Sequence, residues 1–167
     1  MKKIFTILAL AIGLMFVSQN ANAQEYKNGI GIRFGWGYGL SYKHFFTEKG
    51  AMELVGNFRS YGAAGYKYNY IRVTGLYLVH NKISAVDGLQ WYFGGGAMFQ
   101  TWGGDFDLLF PGAETTNIGI VGALGLDYKF ANVPISITAD WLPTFILSGY
   151  GDGFGGEAGG LGVRYTF

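Results

Sequence analysis

His44 and His80 are the residues best suited by type to acid–base chemistry, because imidazole titrates near neutrality. They fall late in two apolar segments, the second and the fourth, so an up-and-down arrangement brings both to the same end. Asp105-Phe106-Asp107 gathers oxygens of the kind that hard cations take, but its spacing is not that of an EF-hand loop. Those acids, with Glu114, Asp152 and Glu157, read as solvated loop charges, and no metal site is expected. The chain has no cysteine, which excludes zinc–thiolate sites and cysteine nucleophiles. Gly94-Gly95-Gly96 and the glycines between Gly151 and Gly160 lack the G-K-[S/T] and helix context of a phosphate loop, so no cofactor is expected. What remains is a set of nine charges on rows of small residues: Arg33, Lys43, Glu53, Arg59, Arg72, Asp127, Lys129, Asp140 and Arg164. Isolated charges away from water are costly and should pair. They would plug an interior or line a polar pore.

The elements that carry these charges have period two, the signature of strands. Ile30, Ile32, Phe34 and Trp36 oppose Gly31, Arg33 and Gly35. Leu40, Tyr42 and Phe46 oppose Ser41 and Lys43; Leu54, Gly56 and Phe58 oppose Glu53, Asn57 and Arg59. The segments 71–79, 89–100, 117–130 and 134–141 continue the pattern, and Leu76 and Leu78 blur it in the first of them. With the C-terminal segment this makes about eight strands, each close to the ~9–11 residues that cross a bilayer at a tilt. Thr47–Gly50 and Ala131–Val133 read as short turns and His80–Gly88 as a moderate one. Tyr61–Asn69, Trp102–Thr115 and Leu147–Gly156 read as longer or Gly-rich links, and Gly37-Tyr38 as a very short one.

Lys2-Lys3, the apolar run Ile4–Val17 and Ala21-Asn22-Ala23 form a secretory signal peptide over residues 1–23, with Ala21 and Ala23 at the cleavage site. Removal of Lys2 and Lys3 with it leaves ten basic side chains against eleven acidic ones, so no basic surface for nucleic acid is expected. Only 14% of residues are charged. A water-soluble calyx must cover its outside with charge; here the bulky aromatic face is the charge-poor one. That face suits lipid, and Trp, Tyr and Phe near the segment ends suit its interfaces. Tyr61, Tyr66, Tyr68, Tyr70 and Trp102 are read as part of such a girdle. The small-residue face suits a narrow, filled interior. Residues 24–167 are thus expected to form one all-β domain, a transmembrane antiparallel up-and-down β-barrel in contact with outer-membrane lipid.

The chain ends Leu161-Gly162-Val163-Arg164-Tyr165-Thr166-Phe167. Together with the signal peptide and eight segments, this ending resembles the small eight-stranded outer-membrane barrels of the OmpX/OmpA type. The resemblance implies a Gram-negative outer membrane. It also implies that Leu161, Val163, Tyr165 and Phe167 are an assembly signal read transiently by the barrel-assembly machinery. Some barrels of this size remodel lipid A with a histidine near the outer leaflet, whereas His44 and His80 fall at the periplasmic end of this threading. The expected function is therefore structural or surface interaction without catalysis, the alternatives being a narrow solute channel or a lipid-binding or lipid-modifying barrel. N-terminal sequencing of the exported protein should read Gln24 first; a mature chain that begins at Met1 would contradict the leader assignment.

Overall fold

Alternation of bulky apolar with small or polar residues favours extended chain, and closure of the sheet removes its unpaired edges. The computed structural model describes residues 26–63, 65–151, 153–155 and 159–167. The leader with Ala21 and Ala23, and the acids Asp152 and Glu157, lie outside the described residues. The strands are β1 Asn28–Gly35, β2 Gly37–Phe45, β3 Gly50–Ala63, β4 Tyr66–Lys82 and β5 Leu89–Gly104. A short helix, α1 Phe106–Leu109, precedes β6 Thr116–Lys129, β7 Ile135–Trp141, β8 Thr144–Ser148, β9 Gly153–Gly155 and β10 Gly159–Thr166.

Every neighbouring pair is antiparallel, and the sheet closes through β1 with β10 and β5 with β6. The ten strands form eight staves. β7 and β8 lie along β6 in one register, Leu124↔Trp141 and Val121↔Thr144, and are separated only at Leu142-Pro143. Proline has no N–H to give the ladder there, yet its carbonyl still accepts from Gly122 N at 2.8 Å. β9 and β10 form the last stave. Trp141 pairs with Gly159 of β10 and Thr144 with Gly155 of β9.

Both described chain ends and the connections after β2, β4 and β6 lie at one end, here the termini end. At the opposite, loop end the links are tighter than the sequence suggests. Tyr61–Asn69 is not a long link: β3 and β4 stay paired through Tyr61↔Tyr68 to Ala63↔Tyr66. Gly62 and Ala63 remain in the ladder, opposite Lys67 and Tyr66, because the tyrosines on either side continue the period-two pattern. β8 and β9 likewise pair directly, with Ile146 opposite Gly153. Trp102–Thr115 is a genuine excursion, although its first residues extend β5. At 14, 17 and 16 residues, β3, β4 and β5 exceed a bilayer crossing and rise above it as a wall. β1 and β2, joined by Trp36 alone, form the low side.

The outward rows carry Ile30, Ile32, Leu40, Leu54, Ile71, Phe93, Ile118 and Leu126, all exposed. The inward rows carry Arg33, Lys43, Glu53, Thr74, Asp127 and Arg164, all buried. A soluble fold has the opposite polarity. This surface matches hydrocarbon, in which a closed barrel leaves no backbone group unpaired.

The seam between β1 and β10 depends on a close approach. Gly160 adopts φ +155°, and a Cβ there would lie 2.0 Å from the Phe34 carbonyl oxygen. A Cβ on outward-facing Gly56 would meet nothing within 4 Å. Gly160→Ala should therefore lower stability by about 3 kcal/mol or more, and Gly56→Ala should change it by less than about 0.5 kcal/mol. Urea titration of the refolded barrel in detergent checks both values; equal effects would contradict the seam geometry.

Candidate functional site

The lumen is filled in three tiers. Nearest the termini end lies a network of charges. Glu53 on β3 accepts from Arg33 on β1 at 3.0 Å and from Arg164 on β10, and its second oxygen lies 3.4 Å from Lys43 on β2. Asp127 on β6 takes Lys43 at 3.1 Å, the hydroxyl of Tyr26 at 2.6 Å and an Arg164 nitrogen at 3.8 Å. Asp140 on β7 accepts from Arg33 at 2.5 Å and from the Tyr92 hydroxyl at 2.7 Å. Arg164 Nε also donates to Ser41 Oγ at 3.0 Å. Three cations thus meet three carboxylates, all six buried or nearly so. Each is bonded on more than one side, the condition under which buried ions are tolerated.

The other three charges go elsewhere. Arg59 lies over the Trp36 ring at 3.9 Å and the Tyr61 ring at 4.7 Å. Arg72 donates to Gln100 at 2.8 Å and lies over Tyr70. Lys129 donates to the carbonyls of Phe130 and Val133, closing the turn after β6. The strand pattern gives the face of these residues but not their height along the barrel, and height decides which charges meet.

The middle tier is apolar, where small residues were expected. Leu76, Leu78, Tyr92, Met98, Val121, Ala123 and Leu142 form one buried cluster, with Trp36 and Ile146 packed against it. Leu76 and Leu78, which break the alternation of β4, point inward for this reason. The room comes from the glycines opposite them: Leu78 faces Gly94 and Leu76 faces Gly96.

The third tier is aromatic and corrects the girdle reading. Tyr61, Tyr68, Tyr70 and Trp102 sit on inward rows above the hydrocarbon, not on the lipid face; Tyr66 is at the hairpin tip. Tyr61 stacks on Tyr68 at 5.1 Å, and Trp102 stacks on Phe106 of α1 at 4.9 Å. Phe110 and Tyr150 complete the cover, 4.7 Å apart. The sequence missed Phe106, Phe110 and Tyr150 because the loop pattern carries no period.

His80 is not placed as an accessible base. His80 is 1% exposed, and its ring lies between Phe45 and Tyr92. Its Nε2 is 3.3 Å from Lys43 Nζ, which can only donate. His44 bonds Asn28 Oδ1 at 2.7 Å. Asp105 accepts from the Lys67 amide at 2.8 Å and so ties the β5–β6 link to β4. Among the described residues no three metal-ligating side chains gather. Leu161, Val163 and Phe167 form an exposed outward row, and Tyr165 stacks on Phe167 at 5.9 Å.

The fold and this lumen define a small transmembrane β-barrel. The chain is similar to the N-terminal β-barrel domain of Pseudomonas aeruginosa OprF, with a TM-score of 0.54 and 18% identity over 86% of this chain and all of that one. It also matches Ail, the attachment invasion locus protein of Yersinia pestis, with a TM-score of 0.47 and 14% identity over 84% of this chain and 93% of that one. No protein-family model and no curated protein sequence matches it.

Glu53→Gln removes the charge that three cations share and should destabilise the barrel by about 3–5 kcal/mol. Lys129→Gln, at the turn, should cost less than about 1 kcal/mol. Urea unfolding followed by tryptophan fluorescence measures both, and an Glu53→Gln barrel as stable as the parent would contradict the network's role.

Proposed function

We propose that the protein is a non-catalytic outer-membrane barrel whose closed body displays its loop end for structural or surface interaction. The observation that carries this reading is the continuous filling of the lumen by ions, apolar side chains and aromatic rings. An internal space lined by Arg33, Trp36, Tyr70 and Arg72 amounts to only about 20 Å³, the room of one or two waters. The leader in the sequence and the apolar outer rows support export to the Gram-negative outer membrane. The termini end would face the periplasm and the wall of β3, β4 and β5 would stand outside. Leu161, Val163, Tyr165 and Phe167 would be read once, by the assembly machinery, and afterwards face lipid. The enclosed positions of His80 and Lys43 favour a packing role over catalysis for both residues.

Folded protein in planar bilayers should give no steady unitary conductance at moderate voltage. Reproducible steps that scale with salt concentration would contradict the filled lumen and favour the narrow-channel alternative.

A further inference from the structure

The termini-end network balances its charges, three cations against three carboxylates. Higher in the lumen the balance fails. Arg72 points inward from β4, half-buried, and its Nε bonds only the neutral amide oxygen of Gln100. Among the described residues no carboxylate pairs with it. A half-buried guanidinium without an opposite charge lacks its best partner, and an aromatic face replaces only part of that interaction.

Arg72 borders the small internal chamber. The other polar groups on its wall are Arg33, Asn57, Tyr70, Thr74 and Thr144, and none is a carboxylate. Arg33 is already committed to Glu53 and Asp140. The Tyr70 hydroxyl donates to the Trp36 carbonyl at 3.1 Å, and the Thr144 hydroxyl donates to Leu142 at 3.2 Å. Arg72, Asn57 and Thr74 complete the polar part of the chamber wall, and each carries N–H or O–H donors. Just beyond Trp36, the Nη1 of Arg59 is buried without an acceptor. The wall is rich in donors and positively charged. Water would accept hydrogen bonds there but leave the charge in place.

We infer that this chamber is a binding site for a single small inorganic anion of halide size, recognised by Arg72, Asn57 and Thr74. The free space is small, about 20 Å³, so a monatomic ion is the occupant that asks least of the wall. The bound anion neutralises Arg72 and locks the low β1–β2 side of the barrel to the high wall of β3 and β4.

Bromide is the probe, because a heavy halide quenches tryptophan emission and Trp36 lines the chamber. The refolded full-length mature chain is titrated with bromide against gluconate at constant ionic strength. The expected result is a saturable quenching component above the linear collisional one. Its half-point should rise at least tenfold in Arg72→Gln and stay within about threefold in Arg72→Lys, which keeps the charge. Crystals grown in bromide should show one anomalous peak in contact with Arg72. Purely linear quenching with no such peak would overturn the inference, and so would saturation that Arg72→Gln leaves unchanged. If Arg72→Gln does not refold, the anomalous peak of the parent protein decides alone.

Discussion

Glu53 is the point on which the inside of this barrel depends. Its carboxylate meets cations from β1, β2 and β10, three strands that lie next to one another across the closing seam. Asp127 and Asp140 extend the same network to β6 and β7, while His80 and Tyr92 bring in β4 and β5. Every stave therefore contributes a side chain to one cluster. A register slip of one residue on any strand would turn its member toward lipid, where a charge is far more expensive. The network thus specifies register as well as holding the wall.

The apolar and aromatic tiers follow from the same geometry. Glycines in β5 let Leu76 and Leu78 enter the lumen without widening it. Trp36, at the single-residue connection of β1 and β2, folds inward and packs against that cluster. The low side of the barrel is thereby closed from within, and the high side by the rings of β3, β4, β5 and the loop helix. An interior packed in this way resembles a protein core more than a pore, although its outside is built for hydrocarbon.

Much of the wall was legible in the sequence because a strand's two faces are written two residues apart. The outward rows through Ile30 to Phe34 and Leu161 to Phe167, the inward positions of Arg33, Glu53, Asp127 and Arg164, and the Thr47–Gly50 turn need only that period. Two features misled it. Gly62 to Gly65 reads as a loop by composition, whereas the flanking tyrosines keep the strands paired. Leu76 and Leu78 break the pattern because their environment is a third layer, the lumen's own core. Which charges pair was out of reach: Arg59 and Arg72 share a face with Glu53 but stand higher in the barrel, and height depends on tilt and stagger between staves.

The absence of cysteine makes the central claim, an apolar outside and an ionic inside, directly measurable. Single cysteines placed at successive positions 52 to 58 of β3 would carry a spin label in the vesicle-reconstituted barrel, and its accessibility to oxygen and to a water-soluble nickel chelate would be compared. The structure predicts oxygen maxima at 52, 54, 56 and 58, with 53, 55 and 57 shielded from both reagents. Chelate maxima at the even positions, with the protein free in the aqueous phase, would contradict it and turn the barrel inside out.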